Sequence, residues 1–403
     1  MRLVVLYSLF LNLLLAQKLT PVDNAFTNAK VLGNLTLFSY NIGREHEEST
    51  YASAFGGFLK YSTNPKKPLF ASTRFHQSSS FGPDQNKIAT QLFNNDKNAS
   101  NLTAISESFI AYRSKDSLFK VGNMMLNTPM MNDDTTRIVP WSYQGISLTS
   151  HSLADTKIQF THISQIRKNT SNKYKKESAS GAFDHGISML SLTYEGIANL
   201  SLHSYYYDAP ELYSTFIAQL DYKNVQDEDF LFCGGIQYFK SGNGGKYNDT
   251  LSPNGGDDID LFAINIGIDG PKYNITLNYS QNFGLSGIIK GYGGLAKVYT
   301  TSMVANGRGN FKPETWMLKS RFDLDPFAYG QSEFALWLTN TRVHDDRGNN
   351  FDAFYTHLRH YFNTDTSLYL RFEAIDYHNN IGSATDFRKD DVSHLRLIAS
   401  FDF

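Results

Sequence analysis

The final segment of the chain, residues 391–403, constrains the fold more than any other stretch. Read with a period of two, it places apolar side chains on one face and polar side chains on the other. The apolar face carries Leu395, Leu397, Ala399, Phe401 and Phe403, and the polar face carries His394, Arg396, Ser400 and Asp402, with Ile398 as the exception. Because successive side chains of a β-strand point to opposite sides, this pattern predicts an amphipathic strand. An aromatic end would make the edge of a soluble sheet prone to aggregation, whereas a closed barrel has no edge.

The same alternation recurs along the chain. In residues 272–283, the apolar Tyr273, Ile275, Leu277 and Tyr279 alternate with polar residues. Dividing the chain at turn signals predicts about 18 strands, an even number that bacterial single-chain barrels also have. The strands are expected near residues 30–42, 51–62, 68–78, 104–114, 117–123, 143–152, 155–168, 184–195, 198–208, 211–223, 228–241, 259–269, 272–283, 314–324, 330–343, 351–363, 366–378 and 391–403.

The connections between these strands alternate between short turns and long loops. The long ones are expected at residues 79–103, 124–142, 168–183, 242–258, 285–313 and 379–390. Short turns on one side and long loops on the other are typical of a barrel with periplasmic turns and extracellular loops. The sequence therefore predicts an all-β fold, a transmembrane antiparallel up-and-down β-barrel, with its lipid-facing and lumen-facing residues in alternation.

The N-terminus predicts export. Arg2 precedes an apolar run that ends near Ala16, so residues 1–16 are expected to be a cleaved signal peptide and residues 17–403 a single barrel domain. The remaining chain has no apolar stretch of about 18 residues, the length that a spanning helix needs. A net charge of −2 argues against a nucleic-acid partner, and a lone cysteine, Cys233, excludes an internal disulfide or a two-thiol site.

The segment Val121–Gly145 differs from the other long loops in its apolar content. It contains Met124, Met125, Met130, Met131 and Trp141, which a loop surrounded by water would expose to solvent. A loop that folds inward and packs on the barrel wall would bury them. We therefore expect this loop to enter the barrel and to constrict the pore.

Two segments resemble the OprD family of bacterial porins. The first resembles the loop of that family that narrows the lumen, through Gly122, Pro129, Asp133 or Asp134, Arg137, Pro140, Tyr143 and Gly145. The second, 291–303, resembles a later loop that also enters the lumen, and contributes Tyr292, Tyr299 and Ser302. The C-terminal Phe403 resembles the assembly signal of outer-membrane proteins.

The resemblance implies an 18-stranded, substrate-selective channel with a ladder of basic side chains. Arg137, Asp133 and Asp134 are the expected pore constriction. The residues that correspond to this ladder, by their position in the last strands and their predicted inward direction, are Lys319, Arg321, Arg359, Arg371 and Arg396. Independently of the family, an arginine facing an aspartate across a narrow pore creates a transverse field that orients zwitterions. Arg137 could instead have a structural role and pair with Asp133 or Asp134.

The predicted function is a passive, water-filled channel for small hydrophilic solutes, namely small carboxylates, amino acids and ions, in the bacterial outer membrane. Outer-membrane lipid surrounds it, the assembly is either a monomer or a homotrimer, and no catalytic residue, cofactor or metal is expected. One alternative is an enzyme at the outer rim that uses His344, Asp345 and Asp346, and another is a surface adhesin. The acidic runs at 255–260 and 344–346 could bind Ca²⁺, but solvated loop tips explain them better because neither has a complete ligand spacing.

Overall fold

The chain forms a closed barrel of 18 antiparallel strands. The computed structural model describes residues 28–224, 231–242, 255–305, 312–324, 330–344, 349–378 and 391–403; the predicted signal peptide lies outside them. The strands are β1 Lys30–Arg44, β2 Thr50–Ser62, β3 Leu69–Ser80, β4 Leu102–Arg113, β5 Ser117–Met124, β6 Ser142–Leu153, β7 Thr156–Arg167, β8 Ile187–Ile197, β9 Leu200–Asp208, β10 Ser214–Lys223, β11 Leu231–Gly242, β12 Asp260–Asp269, β13 Tyr273–Asn282, β14 Pro313–Leu324, β15 Gln331–Val343, β16 Asn350–Tyr361, β17 Thr366–His378 and β18 Val392–Asp402. One short 3₁₀ helix, Lys87–Thr90, lies between β3 and β4.

The barrel closes between the first and last strands. β1 pairs with β2 on one side and with β18 on the other, in a register that runs from Asn34 opposite Asp402 to Arg44 opposite Val392. Each predicted strand has a counterpart whose ends lie within three residues of the expected ones. The predicted fold class and strand order are confirmed.

Alternation along the strands separates an outer from an inner face. In β18, Leu395 and Leu397 are exposed on the outside, whereas His394 and Arg396 are buried inside. In β13, Leu277 is exposed outside and its neighbours Thr276 and Asn278 are buried inside. Such an apolar outer band is what a barrel presents to lipid. No helix in the described ranges is long and apolar enough to cross a membrane.

A glycine pair joins β5 to β6 just below a long loop. Gly122 and Gly145 are opposite each other in the register, and Gly122 has a φ of 128°. A Cβ atom at Gly122 would lie 2.3 Å from the Ser108 carbonyl oxygen, and one at Gly145 would lie 2.0 Å from that of His162. Both positions therefore require glycine for the backbones to approach this closely.

The largest buried apolar cluster lies inside the barrel and is built mainly around two loops. We call residues 125–141, between β5 and β6, the first inward loop, and residues 283–305, which follow β13, the second inward loop. Met130 and Met131 of the first and Tyr292 of the second are fully buried in this cluster. The methionine-rich loop is thus folded inward, as its composition predicts.

Candidate pore constriction

The first inward loop is attached to the inner wall at three places. The Met130 amide donates to the Tyr207 hydroxyl of β9 at 3.3 Å. At the far end, His76 of β3 contacts the Ile138 carbonyl oxygen at 3.1 Å. Arg167 of β7 donates from Nη2 to the Pro140 carbonyl oxygen at 2.8 Å. Because these wall strands lie on different sides of the loop, it is held within the lumen.

The two inward loops pair with each other through their backbones. Asn132 is the centre of this contact: its amide donates to the Gly293 carbonyl oxygen at 3.0 Å, and its side chain exchanges hydrogen bonds with the Leu295 backbone at 2.7 and 3.0 Å. The Tyr292 amide donates to the Met130 carbonyl oxygen at 3.0 Å. Gly293 has no side chain, and a Cβ there would lie 2.9 Å from the Tyr143 hydroxyl. The glycines of the second loop therefore permit the close approach.

Tyr292, predicted as an inward-loop residue, anchors the loop to the wall. Its ring stacks on Tyr213 with centroids 4.9 Å apart, and its hydroxyl donates to the Tyr213 carbonyl oxygen at 2.6 Å. Burial raises the pKa of Tyr292 well above its usual value, so the hydroxyl stays protonated as a donor. Tyr292 thus lies inside the barrel, as predicted, and is buried between the wall strands and the loop.

The other two predicted residues of the second inward loop lie further along it. The Tyr299 hydroxyl donates to Asp221 of β10 at 2.6 Å, and its carbonyl oxygen accepts from Lys319 Nζ at 2.6 Å. The Ser302 hydroxyl donates to the Glu373 carboxylate of β17. Since β10 and β17 lie far apart around the ring, these contacts show that the loop crosses the lumen.

Arg137 lies on the first inward loop and faces β1. Its Nε donates to the Thr90 carbonyl oxygen at 2.9 Å, its Nη1 donates to the Thr136 carbonyl oxygen at 2.9 Å, and its guanidinium lies 5.1 Å from the centre of the Tyr40 ring. Burial, with a further effect from Arg396, lowers the pKa of Arg137 to about 10, which leaves it protonated at neutral pH.

The two predicted aspartates of the constriction are not ion-paired with Arg137. Asp134 has a left-handed backbone with a φ of 45°, and its carboxylate accepts from the Thr136 hydroxyl at 2.7 Å. Asp133 is partly buried; burial raises its pKa, and the positive charge of Lys297 opposes that shift. The structure therefore brings Asp134 and Arg137 to one cavity without pairing them.

Arg396 is the most deeply buried of the predicted ladder residues, with 1% of its surface exposed. Its guanidinium lies 4.5 Å from the centre of the Tyr40 ring, and Nη2 donates to the Tyr40 hydroxyl at 3.1 Å. Its Nε and Nη1 atoms have no hydrogen-bond partner among the described residues. The Tyr40 ring thus contacts two arginines, Arg137 from the loop and Arg396 from the last strand, β18.

The remaining ladder residues line β14, β16 and β17 and mostly contact aromatic rings. Lys319 lies 5.0 Å from the Trp337 ring, Arg359 lies 4.6 Å from that of Tyr361, and Arg371 donates from Nε to the Tyr355 hydroxyl at 3.0 Å. Arg321 is more exposed and lies 3.9 Å from both Asp323 and Glu333. All four occupy inward positions of their strands.

A cavity of about 430 Å³ lies where the loops meet β1 and β18. Its charged lining comprises Arg44, Arg137, Lys290 and Arg396 against Glu47 and Asp134. Four cations against two carboxylates make this space favourable for an anion. Among the described residues, no group of three or more His, Cys, Asp or Glu side chains could hold a metal ion.

Several residues of this region are not among those predicted from the sequence. Tyr40 and Lys290 line the cavity. A second basic group lies on β2 to β4, where Glu107 forms ion pairs with Lys60 and Arg74, each with an N–O distance of 2.9 Å. Lys60 and Arg74 occupy inward positions of their strands, so the period-two reading could have found them. Tyr40 could be recognised only with the register between β1 and β18.

Comparison with known protein families decides the identity of the chain. Residues 77–355 match the family described as outer membrane porin, OprD family. The chain belongs to the OprD family of outer membrane porins. The match covers both inward loops, and the predicted membership of this family is confirmed.

Solved structures agree with this membership at the level of the fold. OccAB2 of Acinetobacter baumannii is 16% identical, with 94% of this chain and 99% of that chain covered and a TM-score of 0.81. OccK9 (OpdG) of Pseudomonas aeruginosa is 13% identical over 94% and 99%, with a TM-score of 0.82. OpdK of Pseudomonas aeruginosa, solved with vanillate, is 14% identical over 94% and 99%, with a TM-score of 0.79. Comparison with curated protein sequences gives no match.

This OprD-family porin is a substrate-specific channel for small solutes in the bacterial outer membrane. The predicted class of function and the predicted location are thereby confirmed. Its family and its structural neighbours are channels rather than enzymes.

Proposed function

We propose that the channel selects small solutes that carry a carboxylate, and that the cavity beside Tyr40 is its constriction. The observation that carries the proposal is the charge of the cavity lining, where Arg44, Arg137, Lys290 and Arg396 outnumber Glu47 and Asp134. A carboxylate that enters would be attracted by this excess of positive charge and would accept charge-assisted hydrogen bonds, which are stronger than neutral ones. OpdK, a structural neighbour, was solved with vanillate, itself a small carboxylate.

Arg137 has the complementary role of a loop-borne cation. It approaches the Tyr40 ring at 5.1 Å, as Arg396 does at 4.5 Å, while Asp134 lines the same cavity. The cations would attract the carboxylate, and Asp134 would attract the ammonium group of an amino acid. This arrangement favours anionic and zwitterionic solutes over cations.

The test replaces Arg137 by Gln, which keeps hydrogen bonding but removes the charge. In low salt, the reversal potential under a KCl gradient should shift from anion towards cation preference. The shift should shrink near 1 M salt, where the Debye length is about 3 Å. Lys173→Gln is the matched control, because Lys173 is exposed in the loop between β7 and β8. Equal behaviour of the two variants would leave Arg137 as a structural residue and overturn the proposal.

We also propose that the chain has no catalytic activity. Of the alternative rim residues, His344 contacts Glu314 with its Nε2 atom 2.9 Å from Oε2, and Asp345 and Asp346 lie outside the described residues. Purified protein should conduct ions and hydrolyse neither phospholipid nor peptide. The homotrimer stays a hypothesis from the sequence, and the number of chains per particle in detergent tests it.

A further inference from the structure

Glu373 of β17 is a buried carboxylate that contacts a loop rather than solvent. It faces inward, with 0% of its surface exposed. Burying a carboxylate is costly unless hydrogen bonds compensate for the lost water. Glu373 therefore needs hydrogen-bond donors close by, and the segment that supplies them indicates the role of the residue.

The three donors to this carboxylate all come from the second inward loop. The Ser302 hydroxyl donates to Oε1, and the amides of Val304 and Ala305 donate to Oε2 at 2.5 and 3.1 Å. A carboxylate that accepts consecutive backbone amides fixes the position of that backbone as well as its own. The wall residue and the loop therefore stabilise each other.

This contact attaches the later part of the second inward loop to the wall, and Tyr292 attaches an earlier part. Tyr292 packs against Tyr213 beside β10, while Glu373 is on β17, seven strands further around the ring. Between these attachments the loop crosses the lumen. Met303 and Val304, which adjoin the Glu373 contact, line the cavity that contains Arg137 and Arg396. The contact thus determines where one wall of that cavity lies.

We propose that Glu373 is a positioning residue that fixes the second inward loop across the lumen and thereby sets the width and selectivity of the channel. This inference rests on the proposed constriction beside Tyr40. Glu373 would act through Ser302, Val304 and Ala305, without contacting the solute.

The test measures single-channel conductance, current noise and ion selectivity of Glu373→Ala, Glu373→Gln and Glu333→Gln. Glu333 is the matched control: it also faces the lumen, but its carboxylate contacts His357 at 2.9 Å and Arg321 at 3.9 Å, both on the wall. With its attachment lost, the loop of Glu373→Ala should withdraw, and the conductance should rise roughly twofold with added noise, because pore width limits permeation. Glu373→Gln keeps an acceptor oxygen and should restore part of the wild-type conductance. Glu333→Gln changes a lumen charge without releasing the loop, so it should show neither the twofold rise in conductance nor the added noise.

The inference is overturned if Glu373→Ala conducts like the wild type, or if all three variants change selectivity alike, since that would be an effect of charge alone. If Glu373→Ala does not reach the membrane, Ser302→Ala removes one donor from the loop without changing the wall. It should then show the same widening to a smaller degree, and an unchanged conductance would overturn the inference. If Glu373→Ala has a raised conductance but the wild-type channel shows no anion preference, the role of Glu373 is supported and the proposed selectivity for carboxylates is rejected.

Discussion

At the residue scale, aromatic rings along the inner face of the barrel hold cationic side chains in place. Tyr40 contacts both Arg137 and Arg396, and the rings of Trp337 and Tyr361 contact Lys319 and Arg359. A cation over a ring is attracted by the electrons of its face and still keeps its N–H groups available. The rings therefore position charges along the lumen without neutralising them, which an ion pair would do.

Asp133 should make the selectivity of the channel depend on pH. Burial raises its pKa, so as the pH falls from 7 it takes up a proton earlier than an exposed aspartate would. The first inward loop then loses a negative charge near Lys297 and Arg74, and anion preference should increase. Reversal potentials measured between pH 7 and pH 4 should show this step.

Asp133→Asn should lack that step and should have, at pH 7, an anion preference close to that of the acidified wild type. Asp134→Asn, on the cavity side of the same loop, should retain the step. If the wild type and Asp133→Asn give the same pH profile, Asp133 does not influence the permeating ions.

At the element scale, the period-two pattern together with the turn signals predicted every strand, because lipid on one side and a lumen on the other impose alternation. The inward position of the first loop also followed from its methionines. The hydrogen bonds of that loop could not be predicted in this way. Arg137 donates to the carbonyl oxygen of Thr90, which is 47 residues away and lies in another loop. Asp134 turns back to Thr136 through its left-handed backbone, a local conformation that the spacing of charges does not reveal.

The outward face of β13 gives a prediction for this scale. Leu277→Arg places a charge in lipid and should lower the free energy of unfolding by about 2–4 kcal/mol if it lies near mid-membrane. Asn265→Arg is the matched control, because Asn265 faces inward on β12, one residue from Ile266, the register partner of Leu277. The control should be less destabilised and should change conductance instead. Urea titration of the folded barrels measures both, and equal losses would contradict the assignment of the two faces.

At the scale of the whole molecule, closure brings together residues that are far apart in sequence. Tyr40 is the register partner of Arg396, so the ring and guanidinium meet only because β1 pairs with β18 in this register. A shift by one residue would turn Arg396 towards lipid. The sequence predicts that the barrel closes but does not provide the register, and for that reason Tyr40 was not predicted as part of the constriction.

The last residue, Phe403, completes this closure and should be required for assembly. Its amide donates to the Gly33 carbonyl oxygen at 3.0 Å, its carbonyl oxygen accepts from the Gly33 amide at 2.7 Å, and its ring lies over Gly33 where a side chain would otherwise be. Deleting Phe403 removes these two hydrogen bonds and the ring at the membrane interface, where aromatic residues are favoured. The amount of folded protein in the outer membrane, measured by its heat-dependent mobility on gels, should fall strongly. Phe403→Tyr should restore it, and Phe81→Ala, which removes a similarly exposed ring from an outer loop, should have little effect. Normal levels of the folded, truncated chain would show that closure does not need the final residue.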